Sequence, residues 1–448
     1  MRMSKCCCAA AATITALLVA ACHDRPTAPL EPPHDLQFLF QPTDGIDGVV
    51  LLPVVVVARD SHGGRDLGFS GRVTLRVAEG TLHGDTTVSA VSGLATFANV
   101  RVLGAKSSYT LTASAEGGTV TPAISLPFSV SAPSQQIAFA AARGIYVVNA
   151  DGSGVGAIVQ DTVAASGLYG RPAWSPDGAR IVFQRDSSIE IVNADGSGLR
   201  RVASGFDPAW SQNGNRIRFA KAVDSEGQTE IDEVAIDGSS AAQLAVWPLA
   251  FHSYFFIPSV KYGYPREFGS RLTWSRDLSQ VAFERFLWDD PATSYCDTEY
   301  GWQGGVWCGV FTRLYVMNAD GSGLRPVTPD SIATVRQWGV AWSPDGQRLA
   351  FASAGKTSVA TIAADGSSQL VSVIGPPLTN GFVGPSWSPD GKEIAASTGS
   401  SIWIASADGT GEVRRLESIF IALSSYFDDM FARTSLRVPI QDLAWSPR

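Results

Sequence analysis

Few side chains in this 448-residue chain are suited to bond-making chemistry, and their spacing narrows the choice further. Cys296 and Cys308 flank a short segment with little regular pattern. In an oxidising compartment such a pair closes a loop as a disulfide, worth about 3 kcal/mol by loop entropy. Zinc is the rival reading, but no neighbouring His and no third Cys complete a ligand set, so no metal and no cofactor are expected. A serine nucleophile would need a base. No Gly-x-Ser-x-Gly elbow occurs, and from Gln135 onward the only histidine is His252, in an aromatic stretch where packing or hydrogen bonding accounts for it. Scattered Asp and Glu can pair across a channel mouth for glycan chemistry, a pairing that sequence does not reveal.

The remaining reactive group is Cys22. Arg2 and Lys5 form a charged start, and Ala9 to Ala21 is an apolar run too short to span a bilayer. The run ends Leu18-Val19-Ala20-Ala21-Cys22, which resembles a bacterial lipobox. The resemblance implies cleavage before Cys22 and diacylation of its thiol, and two acyl chains make a stable anchor. Residues 1–21 are thus expected to be a lipoprotein signal peptide and 22–34 a Pro-rich lipidated tether. The mature chain keeps 32 basic and 42 acidic residues, a net of about −10. Such a surface repels phosphates, and no basic run offsets it, so nucleic acid is not an expected partner.

Two kinds of element must position whatever site exists. Charged residues are only 17% of the chain, hydrophobic ones 45%, with 44 Gly and 25 Pro, a mix that suits strands joined by tight turns. Residues 35–131 contain six β-rich runs: Leu36 to Phe40, Val49 to Arg59, Gly71 to Val77, Gly93 to Val102, Tyr109 to Ala115 and Ala123 to Val130. Turn clusters such as Asp60-Ser61-His62-Gly63-Gly64 separate them, which indicates a sandwich. The order of phrases, from Gln41-Pro42 through Phe69-Ser70-Gly71 and Gly93-Leu94-Ala95-Thr96-Phe97 to Tyr109-Thr110-Leu111, is similar to bacterial Ig-like repeats of surface adhesins. That resemblance implies a spacer.

Residues 135–448 are a repeat array. Ala173-Trp174-Ser175-Pro176-Asp177-Gly178 recurs around Trp210, Trp274, Trp342 and Trp387, and a last copy begins at Ala444-Trp445-Ser446-Pro447. A second phrase, Asp-Gly-Ser or Asp-Gly-Thr, starts at Asp151, Asp195, Asp237, Asp320, Asp365 and Asp408. Both phrases are turns between antiparallel strands: Asp accepts backbone N–H bonds and Gly takes positive φ. Neither has the alternating acidic run of a calcium loop. Each repeat is one four-stranded blade, so the array is expected to be a six-bladed β-propeller in an all-β chain. The two phrases resemble the WD40-like repeats of the TolB propeller family. Gln136-Ile137-Ala138-Phe139 lacks a first strand and Asp442-Leu443-Ala444-Trp445 lacks a second, so together they are expected to close the ring.

The repeats are uneven. Trp-to-Trp spacing is 36, 64, 68, 45 and 58, where a bare repeat needs about 40. Two insertions, Val246 to Gly269 and Phe286 to Phe311, are expected to emerge together on the face opposite both turn phrases. They carry Trp247, His252, Tyr254, Tyr262, Tyr264, Trp288, Tyr300, Trp302 and Trp307, and a third loop on that face adds Tyr426. Aromatic-rich loops stiffened by a disulfide read as a recognition surface for an envelope protein or a glycan. The plainer alternative is a mini-core that packs the loops onto the ring. The expected function is a non-catalytic binding or scaffold lipoprotein of the cell envelope. Two other readings stand: a glycan lyase or hydrolase with carboxylates at the channel mouth, and a TolB-like envelope component, although the N-terminal α/β domain of that family is missing.

Overall fold

The computed structural model describes residues 34–141, 144–161, 169–222, 228–247, 267–288, 310–328, 337–353, 358–367, 371–374, 383–397, 401–416 and 440–447. Among these residues every regular element is a strand. No described helix is long and apolar enough to cross a membrane.

From residue 136 onward the described strands form six four-stranded antiparallel sheets. Sheet I joins Ile440–Trp445 to Gln136–Ala141, Gly144–Asn149 and Val155–Gln160. Sheet II runs Tyr169–Trp174, Arg180–Arg185, Ser188–Asn193 and Arg200–Ser204. Sheet III runs Phe206–Trp210, Arg216–Ala222, Thr229–Ala235 and Ala242–Trp247. Sheet IV runs Glu267–Trp274, Gln280–Trp288, Val310–Asn318 and Arg325–Pro326. Sheet V runs Gln337–Trp342, Arg348–Ser353, Ser358–Ala363 and Val371–Ile374. Sheet VI runs Val383–Trp387, Glu393–Ser397, Ile402–Ser406 and Arg414–Leu416. The first strand of each sheet touches the first strand of the next, and the series returns from sheet VI to Ile440–Trp445. Ile137 pairs with Trp445 and Ala138 with Ala444, so the beginning and end of the array share one sheet, as the incomplete edges suggested.

Both turn phrases work through their side chains. In the first, the Ser175 hydroxyl donates to Asp177 Oδ1 and accepts from Arg180 N at 2.9 Å. The same pattern recurs at Ser275, Ser343 and Ser388, and Asn213 replaces the Asp after Ser211. These serine hydroxyls hold Asp177, Asp277, Asp345 and Asp390 below the usual carboxylate range. In the second, Asp195 Oδ1 accepts from Ser197 N at 2.9 Å and from its hydroxyl. Phenylalanines of the second strands (Phe139, Phe183, Phe219, Phe283 and Phe351) are fully buried between sheets.

Residues 35–131 form a second body around one core that includes Phe38, Val54, Val73, Phe97, Leu111 and Val130. Asp35–Phe40, Val54–Arg59 and Leu94–Phe97 make one sheet. Arg72–Val77, Thr87–Ser89, Leu111–Ala115 and Ala123–Ile124 make another. Four expected runs are shorter or broken, Tyr109 to Ala115 at Thr110 and Ala123 to Val130 between Ile124 and Phe128 among them. Val49 to Pro53 is not strand, because Pro53 has no ladder donor. Gly93 to Val102 splits at Ala98-Asn99, where the Asn99 carbonyl turns aside to bond Asp85 N at 2.9 Å.

This N-terminal body is fastened to sheet I. Asp44 O accepts from Val155 N at 3.0 Å, and Val50 O accepts from Ala157 N at 2.9 Å. Ile46 and Val49 join one propeller core cluster and Leu52 another. Gly156 makes the approach possible, since a Cβ there would lie 2.4 Å from Val49 Cγ1.

Candidate functional site

The inner strands of all six sheets line a central cavity of about 560 Å³. In sheets I, II, III, V and VI its lining runs from the third residue before the Trp to the second residue after it, and in sheet IV it begins at Leu272 and reaches Leu278. One end is therefore a belt formed by Arg171, Asp207, Gly339, Gly384 and Asp442. The other end is a rim of Pro176, Gln212, Arg276, Pro344, Pro389 and Pro447, on the face of the turn phrases. Between them the wall is small or apolar: Ala173, Ala209, Thr273, Val340, Ser386 and Leu443.

The belt exists because each inner strand bulges there. Register slips occur between Gly170 and Ala173, Phe206 and Ala209, Ser270 and Thr273, Trp338 and Val340, and Val383 and Ser386. The extra residue swings to positive φ: Arg171 at 56°, Asp207 at 51°, Gly339 and Gly384 at 57°, Asp442 at 45°. Arg271 holds the same place in sheet IV. A side chain from the preceding sheet's second strand caps two of these bulges. Gln184 Oε1 accepts from Asp207 N at 3.3 Å, and the buried Glu284 accepts from Gly339 N.

At the belt the Arg171 guanidinium stands between two carboxylates. Its Nε lies 2.9 Å from Asp207 Oδ1, and its Nη1 lies 3.9 Å from Asp442 Oδ1. Asp442 Oδ2 also accepts from Arg171 N at 3.1 Å, and Asp207 Oδ2 accepts from Leu272 N at 2.8 Å. Burial works against the Arg171 charge, but Asp207, Asp442 and Glu284 together outweigh it and raise its pKa. The side chain is 18% exposed. Its terminal nitrogens therefore keep donors that no described residue takes up. Among the described residues no group of three or more His, Cys, Asp or Glu is placed to hold a metal ion.

The repeated tryptophans are latches between sheets. Nε1 of Trp174, Trp210, Trp342, Trp387 and Trp445 donates to Ala444, Ala173, Thr273, Ala341 and Ser386 O, at 2.9–3.2 Å. Trp274 departs from the pattern, and its buried Nε1 has no partner among the described residues. Arg218 lies over its ring at 5.2 Å and Trp247 packs 5.8 Å away. A second set of latches sits further out. Arg200, Arg325 and Arg414 in the fourth strands donate to Ile236, Ala364 and Ala150 O of the next sheet. In sheet III Trp247 Nε1 takes this part, donating to Ala319 O at 3.2 Å.

Trp247 is therefore corrected from recognition residue to interior one: it is fully buried and its indole N–H is spent on a neighbouring sheet. Trp288 closes a long hairpin strand, paired with Val310, so the second insertion begins as β-ladder rather than loop. His252, Tyr254, Tyr262, Tyr264, Tyr300, Trp302, Trp307 and Tyr426 lie outside the described residues, as do Cys22, Cys296 and Cys308. Sequence reasoning missed the belt. Its signal was a Gly or a charged residue three places before each Trp, followed by Pro172, Pro208 and Pro385. A proline inside a strand marks a bulge.

The closed circle of twisted sheets around an axial cavity defines an all-β propeller. No protein-family model and no curated protein matches the chain. Among solved structures it is similar to TolB from Acinetobacter baumannii, at 14% identity and TM-score 0.43, over 77% of this chain and 80% of that one. It is similar to a chain of a nidogen/laminin complex at 10% identity and TM-score 0.44, over 70% and 98% of the two chains. It is also similar to an oligogalacturonate lyase from Vibrio parahaemolyticus at 13% identity and TM-score 0.37, over 63% and 72%.

Proposed function

We propose that this chain is a non-catalytic binding protein of the bacterial envelope. In this reading a diacylated Cys22 and a Pro-rich tether hold it to a membrane, and an Ig-like sandwich carries a six-bladed propeller. The propeller takes a segment of an envelope protein or a glycan into its central cavity, with the insertion loops as a second surface at the belt end, opposite the turn phrases. The observation that carries the reading is Arg171. A non-glycine residue at positive φ costs about 1–2 kcal/mol, and such strain persists where the side chain has a task. Arg171 keeps Asp207 and Asp442 neutralised and still offers donors to the cavity.

The same geometry weighs against catalysis. Glycan hydrolysis needs one protonated carboxyl and one free carboxylate facing the bond. Here both Asp207 oxygens are engaged, one by Arg171 and one by Leu272 N. The enzyme reading is kept as an alternative because Asp207 and Asp442 face one cavity.

Arg171→Lys separates these readings. It preserves the charge between the two carboxylates and removes the planar fork. Binding to envelope proteins and to a panel of cell-wall glycans is measured for the native chain and for folded variants. A loss of about tenfold or more in Arg171→Lys, with Trp288→Ala and Trp302→Ala unaffected, supports the cavity. The opposite pattern moves the site to the insertion loops. Glycan turnover by the native chain that disappears in Asp207→Asn replaces binding with catalysis.

A further inference from the structure

The outer edges of the six sheets are not alike. An outer strand exposes unpaired N–H and C=O groups, and natural proteins guard such edges with charge or proline, or cover them. Arg200 and Arg201 guard sheet II, Arg325 and Pro326 sheet IV, Arg414 and Arg415 sheet VI. Sheet I has no guard: Val155–Gln160 carries no charge. It needs none, because the N-terminal body lies along it and bonds its backbone through Asp44 O and Val50 O. Five of its six residues are buried in consequence.

Among the described residues sheet III has neither guard nor cover. Ala242–Trp247 (Ala-Gln-Leu-Ala-Val-Trp) is uncharged, and Leu244 and Val246 are 47% and 48% exposed on one side of the strand. The arginine that would have guarded it is absent because Trp247 makes the bond to the next sheet instead. The outer strand of sheet V, Val371–Ile374, is also uncharged, but its four described residues give a shorter edge.

We infer that the outer strand of sheet III is where two copies of this chain associate, edge to edge and antiparallel. Within this one molecule an uncharged outer strand is the kind that another backbone covers, and sheet I is the internal precedent. The strand also suits itself. A two-fold axis through Ala245 sets Leu244 of one copy beside Val246 of the other and opposes no like charges. The same operation on sheet II would bring Arg200 and Arg201 against their own copies. Any other partner strand would have to supply its own complement, whereas a second copy already holds it.

The test is the protein mass of the purified full chain by size-exclusion chromatography with light scattering, resolved from detergent. Two copies per particle are expected. Leu244→Lys combined with Val246→Lys should give one copy, with unchanged circular dichroism because both side chains are exposed. Leu199→Lys is the control: Leu199 is also exposed, but it precedes a guarded strand. It should leave two copies. A native chain that runs as one copy at every concentration overturns the inference. So does a double-lysine variant that stays paired.

Discussion

Sheets V and VI place Gly339 and Gly384 at the bulge of the inner strand, whereas sheets II and III place Arg171 and Asp207 there. The backbone demand is the same, with φ between 51° and 57° in all four. On the glycine side the inner strands meet backbone to backbone. A Cβ on Gly339 would lie 2.7 Å from Gly384 N, and one on Gly384 would lie 3.3 Å from the Asp442 Cα. On the charged side the strands are joined through side chains instead, by the Arg171–Asp207 ion pair and by the Asp207 bond to Leu272 N. A bulge can thus be closed by having no side chain or by having one with partners. Only the second way leaves functional groups facing the cavity.

The largest effect should come from violating the glycine side. Gly339→Ala adds a methyl where no space exists and puts a Cβ on a left-handed residue, together about 4 kcal/mol of lost stability in urea unfolding. A neutral result would mean that the inner strands slide apart freely, and the contrast between the two sides would collapse. On the charged side, Arg171→Ala removes a guanidinium from between the buried Asp207 and Asp442, a loss of about 3 kcal/mol. Arg171→Gly removes the same charge but relaxes the backbone, so it should be about 1 kcal/mol milder than Arg171→Ala. Equal losses for the two variants would show that Arg171 stores no strain, and would remove the argument that its side chain is kept for a ligand.

The smallest effect is the one that should not distinguish the sides. Asp408 is held down to about 2, first by the Thr410 hydroxyl and then by Ser406, and Asp237, Asp320 and Asp365 are lowered chiefly by their serine partners. A carboxyl whose folded pKa is depressed stabilises the fold above its unfolded value of about 3.9, and that contribution is lost as pH falls through the folded value. Thermal stability should therefore be flat from neutrality to about pH 4 and decline between there and about pH 2. A decline that begins well above pH 4 would point to groups other than these turns.

Much of this fold was legible because its turns are written in side chains. A serine that donates to an Asp two residues on, and that accepts from the backbone five residues on, is a local device. Local devices leave a phrase in the sequence, as at Ser175, Asp177 and Arg180. The unmatched edges at Gln136 and Asp442 were legible for a related reason, since a repeat exposes what is missing from it. The belt was harder. Arg171 and Asp207 sit in consecutive repeats, 36 positions apart, like the Trp174 and Trp210 that follow them. Their identities vary because the backbone conformation, and not the residue type, is what repeats. The docking of the N-terminal body was invisible. It rests on two backbone bonds, on the packing of Ile46, Val49 and Leu52 and on small residues such as Gly156, none of which forms a pattern. Trp247 misled because burial and recognition call on the same residue types.

The shared sheet I also sets a timetable. Gln136 N bonds the Ser446 hydroxyl, 310 positions away. A chain that emerges from its N-terminus can pair the later strands of sheet I at once, and can lay the N-terminal body along Val155–Gln160. It must then wait until the last inner strand, Ile440–Trp445, arrives. Sheets II to VI are built one after another from segments that follow one another along the chain. Sheet I is completed only by the longest-range contact in the array, the slowest kind to form. The N-terminal body thus acts in time as well as in space. It covers the outer side of a half-made sheet during the interval when its inner side is still open, when an uncovered edge would be most exposed to other chains.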